Sequence, residues 1–407
     1  MFFQLAWRNL WRNPKRTLIL LTAVVIGIWA MIVIGTLMRG ISAQMVRHGI
    51  ATLTGHVQIH RLGYRADPVV ENSILDPQKV TERFPGLLPA GTRWAPRIRV
   101  PAIAGNARHT AGVNLVGIDP LAEKGVSFIG TAVAEGEYLK PEDERSILIG
   151  KALADQFDTG LGKKLVLMSQ DTNQEIASRA YRISGIYRAE LEATEKEFVF
   201  VTLPAAAGML RLGRGISEIS LLFPAEGISE AAAARLRDTF AGTDLEISTW
   251  RQLLAMISGV LELYDGIIFI WFLVIFVAMG FGIVNTFLMA VLERLREFGL
   301  LKALGMKPGW IVRQVLVESL LLLLIGQIVG SSLGLLSYWG LARTGIDLSA
   351  VAEGMEYVGM TRMIFPVLLP RDALTANLVV FLLGLLVSVY PAVKAGKVTP
   401  AKALAGG

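Results

Sequence analysis

The chain has 407 residues, of which 53% are hydrophobic and only 18% charged, and it contains no cysteine. A soluble domain carries about 25% charged residues, so the composition is typical of a membrane protein and not of a cytosolic enzyme. The absence of cysteine excludes thiolate catalysis, disulfides, and iron–sulfur or zinc–thiolate sites.

Residues 1–16 predict a cytoplasmic amphipathic segment. Its helical faces separate apolar from polar side chains, with Phe3, Trp7, Leu10 and Trp11 on one face and Arg8, Asn9, Arg12 and Asn13 on the other. Such a helix fits the lipid headgroup layer before Pro14 turns the chain into the membrane. The alternative is a basic flank with aromatic anchors, and the two interpretations are compatible.

Four apolar blocks predict membrane-spanning helices, because each exceeds the roughly 20 residues that a helix needs to cross the hydrocarbon. The predicted spans are residues 17–38, 265–292, 313–342 and 373–393. The first block is longer than the apolar region of a signal peptide, about 7–15 residues, so we expect it to be retained as an anchor.

Basic residues concentrate at the N-terminus, after the second span and at the C-terminus. Together with Arg313 at the start of the third span, these segments hold 12 Lys and Arg against 2 Glu, a balance of +10, whereas the remaining residues hold 28 against 32, a balance of −4. The positive-inside rule therefore predicts cytoplasmic segments at residues 1–16, 293–312 and 394–407. A charge excess spread in this way argues against a nucleic-acid partner.

Residues 39–264 predict a large α+β extracytoplasmic domain, with two lobes as an open alternative. Expected strands lie near residues 55–60, 97–103, 114–119, 164–169, 180–188, 198–203 and 216–223. Expected helices are residues 146–157, 203–210 and 229–240, the last capped by Ser229. Residues 249–264 predict one stalk helix that runs into the second span. Residues 343–372 are expected to form an extracytoplasmic loop.

Residues 293–312 form the most informative stretch. Charged and apolar side chains alternate there at helical spacing, and Gly305 and a Lys-Pro-Gly turn follow. The pattern predicts a short amphipathic helix. It is either a solvated connection or a helix that docks into a groove on a cytoplasmic partner.

Three strings in the sequence resemble permeases of the FtsX/MacB/lipoprotein-release (LolC and LolE) family of ABC transporters. They are AWRNLWRNPKRT, ERLREFGLLKALGMKPGWI and YPAVKAGKVTPAKAL. The order of one span, a large exported domain and three further spans is also similar. In that family the second string is a coupling helix that contacts an ATPase. The resemblance implies this role for Glu293, Arg294, Arg296, Glu297, Gly299, Lys302, Ala303 and Gly305.

The sequence contains no G-x-x-x-x-G-K-[ST] phosphate loop. We therefore expect the chain not to be an enzyme and to hold no cofactor, with ATP and Mg²⁺ bound by a separate ABC ATPase. The resemblance implies two ATPase copies, a second permease copy or paralogue, contact with membrane lipid, and mechanotransmission to a periplasmic domain. It places the protein in the bacterial inner membrane with both termini cytoplasmic.

The resemblance also implies a function. The leading one is release or export of lipoproteins or another amphiphile from the outer leaflet of the inner membrane. One alternative is an FtsX-like regulator of an envelope enzyme, and another is MacB-like efflux of drugs or peptides. A periplasmic chaperone or adaptor would be a further partner.

Two features inside the spans are singled out. Glu318 is a functional candidate, because an ionised carboxylate in a membrane is costly. The favoured alternative is that it snorkels to the cytoplasmic interface near Arg313 or Lys307. A stripe of small residues predicts close helix packing against the second or fourth span or another subunit: Gly326, Gly330 and Gly334, with Gly280 and Gly282 as an opposing surface.

His56 and His60 fall on one face of an expected strand. No third ligand lies near them in sequence, so we expect surface histidines and no metal site.

Overall fold

A computed structural model describes residues 2–347, 363–397 and 399. The chain forms two compact units. The membrane unit comprises residues 2–43, 260–347 and 363–397, and the sheet unit comprises residues 44–259. Residues 348–362 of the expected outer loop, and nearly all of the expected tail after Lys397, lie outside the described residues.

The first two helices meet at Asn13. Helix α1 spans Phe2–Arg12, and helix α2 spans Pro14–Gly49. Proline suits the first turn of a helix, because the N–H that it lacks has no helical partner there. Helix α2 continues beyond the expected span and is followed by a π-helical turn at Ile50–Thr54.

The sheet unit combines ten strands with short helices. The strands are β1 (Val57–Arg61), β2 (Arg93–Gly105), β3 (Thr110–Ile118), β4 (Val133–Gly136), β5 (Ser146–Gly150), β6 (Lys164–Gln170), β7 (Ile176–Tyr187), β8 (Phe198–Thr202), β9 (Glu218–Leu222) and β10 (Leu245–Thr249). The helices are α3 (Pro77–Thr81), α4 (Pro120–Glu123), α5 (Ile129–Ala132), α6 (Lys151–Gln156), α7 (Glu192–Glu197), α8 (Leu203–Leu210), α9 (Ser229–Thr239) and α10 (Trp250–Leu253).

All ten strands belong to one sheet with the order β10-β1-β9-β2-β3-β8-β5-β7-β4. Strand β6 pairs with both β2 and β7, so six strands close into a ring, β2-β3-β8-β5-β7-β6. Apolar side chains such as Ile98, Leu115 and Val199 fill one core, and a second core around Ile59 and Leu236 lies with β1, β9 and α9. A third core lies around Leu148 and Phe200, so the unit has three cores on one continuous sheet.

Several expectations for this unit are wrong in detail. Residues 146–150 form strand β5, and only Lys151–Gln156 of the expected helix is helical. The N-cap of α9 is Ile228 and not Ser229. The expected stalk helix is interrupted at Leu254, whose backbone leaves the helical path at φ −104° and ψ 54° and ends α10 as a separate turn. Strands β4 and β10 were not anticipated.

The two strand histidines are buried and do not lie on the surface as expected. His56 accepts a hydrogen bond from the Phe223 N–H at 3.0 Å. His60 stacks on Tyr64 at 5.3 Å, and its Nε2 lies 3.8 Å from the Glu218 carboxylate. No group of three or more potential metal ligands occurs among residues 2–347 and 363–397.

A buried ion cluster joins β1, β2, β9 and α4. The Nε and Nη2 atoms of Arg97 donate to the Glu123 carboxylate at 3.0 and 2.8 Å, and Nη1 lies 3.2 Å from Glu218. Arg99 lies 3.0 Å from the other Glu218 oxygen. Burial alone would raise the pKa of Glu218. The opposing effect of Arg99, His60 and Arg97 lowers this pKa to about 2.

Four helices are long and apolar enough to cross a membrane, as predicted. After α2 they are α11 (Ala255–Glu293), α13 (Pro308–Thr344) and α14 (Pro370–Gly396). The short helix α12 (Leu295–Ala303) separates α11 from α13, and the two-residue strands β11 (Ile346–Asp347) and β12 (Met363–Ile364) pair between α13 and α14. This confirms the fold class of four spanning helices with an inserted α+β domain.

The glycine stripe of α13 packs against the first span and not the second or fourth. A Cβ at Gly326 would lie 2.5 Å from Val24, and one at Gly334 would lie 3.0 Å from Ile32. At Gly330 it would lie 2.9 Å from a backbone oxygen of α2. In contrast, a Cβ on Gly280 meets open space within the described chain. Glycine therefore allows α2 and α13 to approach closely.

We expect Gly330→Leu to destabilise the membrane unit by about 1–3 kcal/mol, because the added side chain forces α2 and α13 apart. Gly340→Leu is the matched control, since a Cβ at Gly340 on the same helix meets no described atom within 4 Å. Thermal unfolding of the detergent-solubilised chain measures the difference. Equal losses in both variants would contradict the packing.

We expect the sheet unit to lose stability in acid through Glu218. The folded pKa of about 2 lies below the ordinary value of 4.5, so the stabilisation is complete above pH 4.5 and is lost as the pH falls towards 2. The amount is on the order of 3 kcal/mol. Glu218→Gln should flatten this part of the profile, whereas Glu230→Gln on the exposed face of α9 should not. Chemical unfolding followed by fluorescence of the buried Trp250 measures both.

Candidate coupling site

The short helix α12 is defined by its ends. It begins after Arg294, whose backbone leaves the helical path of α11 at φ −102° and ψ 12°. At its other end the Gly305 N–H donates to the Lys302 carbonyl oxygen at 3.0 Å, and Gly305 has φ +93°. This left-handed conformation favours glycine. Pro308 then starts α13. The sequence thus folds locally into a helix with two sharp ends.

The apolar face of α12 anchors it to three spans. Phe298 is fully buried, and Gly299 beside it is also buried. The residues packed in this cluster come from the end of α11, the start of α13 and the end of α14: Val291, Ile311, Val315, Ala392 and Ala395. This packing holds α12 against the ends of the spans.

Lys302 adds a polar anchor. Its Nζ donates to the carbonyl oxygen of Gly396 at 2.6 Å. Gly396 is the last residue of α14, where backbone carbonyls lack helical partners and the helix dipole favours a cation. Lys302 therefore fastens α12 to the C-terminal end of the fourth span.

Glu318 is buried and does not snorkel to the interface as expected. Its carboxylate accepts hydrogen bonds from Arg294 Nη1 at 3.1 and 3.0 Å and from the Asn9 side-chain amide at 2.7 Å. Gln314 donates to the same carboxylate at 3.4 Å. The side chains of Arg294 and Glu318 are only 13% and 9% exposed. The carboxylate thus links α1, the start of α12 and α13.

A second ion pair extends this cluster to the surface. Arg294 Nε donates to Glu297 at 3.2 Å, and its guanidinium lies 5.1 Å from the centre of the Phe298 ring. Glu297 is also paired with Arg12 of α1, which holds the pKa of the Glu297 carboxyl below its usual range. The four side chains form a sequence of alternating charge across α1, α12 and α13.

A small cavity of about 20 Å³ lies beside the carboxylate, with Asn9, Thr17, Thr286 and Glu318 among its lining residues. That volume has room for about one water molecule between polar groups.

The opposite face of α12 is exposed. Leu300 and Leu304 are 54% and 77% exposed, and Arg296 and Ala303 lie on the same side. Arg296, Leu300 and Ala303 are spaced at four and three residues, which places them along one helical face. Glu293 and Gly305 are exposed at the two ends of the helix.

A second polar cluster lies at the other end of the spans. Arg39 of α2 forms ion pairs with Asp265 of α11 at 2.7 Å and with Asp372 of α14 at 2.6 Å. The N–H of Val367 donates to the Thr36 carbonyl oxygen at 2.9 Å beside them. Three of the four spans are thus joined by charge at this end.

Comparison with known proteins identifies the family. Residues 17–239 match the family described as MacB-like periplasmic core domain, and residues 268–400 match the FtsX-like permease C-terminal family. The chain belongs to the FtsX/MacB/LolC–LolE family of ABC transporter permeases. The first match alone covers more than half of the permease, and α12 lies within the second.

The permease is similar to several curated relatives. It is 22% identical to the lipoprotein-releasing system transmembrane protein LolC of Neisseria meningitidis, over 95% of this chain and 93% of the relative. It is 22% identical to LolE of Haemophilus influenzae, over 99% and 98%. It is 25% identical to the macrolide export ATP-binding/permease protein MacB of Nitrobacter winogradskyi, over 97% of this chain but 58% of the relative.

The structure divides the residues expected to contact an ATPase into two groups. Glu293, Arg296, Ala303 and Gly305 are exposed, whereas Gly299 is buried and Arg294, Glu297 and Lys302 bond other parts of the permease. Sequence reasoning missed Asn9, Arg12 and Phe298 as members of the site. The polar face of α1 was the available signal for Asn9 and Arg12, but nothing in the sequence paired them with α12 or α13.

Proposed function

We propose that this permease releases lipoproteins from the outer leaflet of the bacterial inner membrane, driven by a separate ABC ATPase. The observation that carries the proposal is the match along almost the full length of both this chain and the LolC and LolE relatives. The MacB relative, whose name includes an ATP-binding part, is matched over only 58% of its length. Two ATPase copies and a second permease, identical or related, complete the assembly.

The ATPase docks on the exposed face of α12, along Arg296, Leu300 and Ala303. Exposed leucines beside a cation suit a groove with an apolar floor and an acidic rim. The other side of α12 is held in place by polar contacts. Arg294 bonds α13, Lys302 bonds the end of α14, and Glu297 pairs with α1. A displacement of α12 by the ATPase is then transmitted to the ends of the spans that α12 contacts.

Two continuous helices carry the motion outward. Helix α2 runs without interruption from the first span to Gly49, and α11 begins at Ala255 before it enters the second span. A helix of this length resists bending, because its backbone hydrogen bonds are satisfied within it. Displacement of either span therefore moves the residues that enter the sheet unit.

The cargo need not cross the bilayer. Within the described spans, the buried hydroxyls of Ser319 and Ser388 donate to carbonyl oxygens of their own helix, those of Val315 at 3.0 Å and Gly384 at 2.7 Å. Such groups offer few free polar atoms to a hydrophilic substrate. Extraction of a lipid-anchored protein at the outer face fits these spans better than a polar conduit.

The proposed orientation has both termini and α12 in the cytoplasm and the sheet unit in the periplasm. Because the native chain has no cysteine, single cysteines report topology without background. In spheroplasts, a membrane-impermeant maleimide should label Arg235→Cys on α9 and should label Leu304→Cys only after the membrane is permeabilised. Labelling of Leu304→Cys in sealed spheroplasts would overturn the orientation.

Capture of the tagged full chain from native membranes tests the docking face. We expect the wild type to recover an ABC ATPase and lipoproteins. Arg296→Glu should lower the recovered ATPase at least tenfold, which corresponds to about 1.4 kcal/mol. Arg235→Glu, a charge reversal on the exposed face of α9, should leave recovery unchanged.

The same experiment separates the candidate functions. Recovery of the ATPase with an envelope hydrolase or an efflux adaptor in place of lipoproteins would overturn the proposed cargo. Recovery of no ATPase would overturn the whole proposal. ATP-dependent release of a fluorescent lipoprotein from proteoliposomes that contain the recovered complex provides the direct activity measurement.

A further inference from the structure

Glu318 lies inside the third span, at a depth where an ionised carboxylate is costly unless cations or hydrogen-bond donors compensate it. Three side chains from different parts of the chain do so: Arg294, Asn9 and Gln314. The docking face of α12 does not include Glu318, and neither do the packing contacts of the glycine stripe. Its arrangement therefore needs a separate explanation.

The partners of Glu318 belong to separate elements. Arg294 lies at the junction of α11 and α12, and Asn9 lies on α1. Both contacts are short, at 3.0 and 2.7 Å, and both end on one carboxylate. A group bonded in this way fixes the distance between the two elements as well as their distances from α13.

Helix α1 is held to the same body by apolar contacts. Ala6 and Leu10 are buried in the core of the spans, together with Leu20 and Val24 of α2. The Thr17 hydroxyl also donates to the Leu10 carbonyl oxygen. Trp7 and Trp11 on the other face remain half exposed. Helix α1 is thus packed as part of the membrane unit, with one aromatic face available for lipid.

Two polar connections link α1 to α12. Arg12 pairs directly with Glu297, while Asn9 connects indirectly through Glu318 and Arg294. Removal of Glu318 would break the indirect path and leave the guanidinium of Arg294 without its buried carboxylate. The exposed Arg12–Glu297 pair would then hold the two helices weakly, because exposed ion pairs contribute little.

We infer that Glu318 is a positioning residue that ties the coupling helix α12 to α1 and α13, so that these elements move as one body when the ATPase displaces α12. The inference rests on the proposed function for its source of motion. It adds the N-terminal helix α1 to the coupling apparatus and gives the intramembrane carboxylate a mechanical role.

The test compares Glu318→Gln with Gln327→Leu in the full chain. Gln327 is a polar residue of the same helix whose amide donates to the Asn377 carbonyl oxygen at 2.6 Å and so connects α13 with α14 instead of α12. Three quantities are measured: the amount of ATPase captured, the rate of ATP-dependent lipoprotein release, and the distance between α1 and α12. Spin labels at Arg8→Cys and Leu300→Cys in the otherwise cysteine-free permease report that distance.

We expect Glu318→Gln to keep ATPase capture within twofold of the wild type, to lower release at least fivefold, and to broaden the distance distribution. Gln327→Leu should leave the distance distribution narrow. Glu318→Asp, which keeps the carboxylate for Arg294 and Asn9, should retain at least half of the release that Glu318→Gln loses. A merely structural role would lower ATPase capture and release together, so release that falls while capture holds separates coupling from stability.

A second variant covers the case in which Glu318→Gln does not fold. Asn9→Ala with Arg12→Ala removes both links to α1 and leaves the Arg294–Glu318 pair intact, so it should broaden the distance distribution and lower release about twofold to fivefold. An unchanged distribution in either variant, or release that stays at the wild-type rate, overturns the inference. If the wild type captures no ATPase, the proposed function fails, while the distance measurement still decides whether Glu318 holds α1 and α12 together.

Discussion

An ionised carboxylate cannot remain uncompensated within a membrane span, and this constraint determines how α1, α12 and α13 are assembled around Glu318. Glu318 draws Arg294 inward, away from the surface of α12. Once Arg294 is turned in, the exposed face of α12 begins at Arg296, and the N-terminal helix is brought in through Asn9. The start of the exposed face of α12 and one of its anchors thus follow from one compensated charge.

Arginines that pair with carboxylates also hold separate elements together at two other places in the chain. At the end of the spans away from α12, Arg39 joins α2 to α11 and α14 through two carboxylates. In the sheet unit the buried Arg97 bonds Glu123 and also donates to the Leu53 carbonyl oxygen, within the π-helical turn that follows α2. Each arginine offers several donors in a rigid plane, so one side chain can fix more than two elements. Charge is placed where elements meet, and apolar packing fills the space between.

Much of this architecture could be predicted because it depends on local pattern. Apolar length gives the four spans, and period-two alternation gives strands such as β2 and β3. Helix α8 was predicted with its observed ends, and in the structure the Thr202 side chain caps its first turn. The failures come from contacts distant in sequence. Residues 146–150 join the sheet because β7 and β8 flank them, although their own composition also suits a helix.

In the candidate site, too, local features could be predicted from the sequence, whereas contacts distant in sequence could not. The amphipathic helix at residues 295–303 and its glycine end follow from spacing and turn chemistry. The partners of Glu318 lie 24 and 309 residues away, and no single-sequence pattern relates such positions. His60 is a comparable case, because the carboxylate beside it comes from β9, which pairs with β1 only in the folded sheet. Long-range pairing decides burial, and burial decides chemical role.

The two ion pairs that hold α12 differ in the free energy needed to break them. Arg12 is 62% exposed, and a pair of this kind is worth about 0–1 kcal/mol, so thermal motion opens it readily. Breaking a buried pair by removal of one partner costs about 3–5 kcal/mol, because a charge is left without compensation. In the proposed coupling, the Arg294–Glu318 pair is therefore the link that transmits force, while the Arg12–Glu297 pair opens first. Under that proposal α12 has a rigid connection to α13, which must move with it, and a softer one to α1.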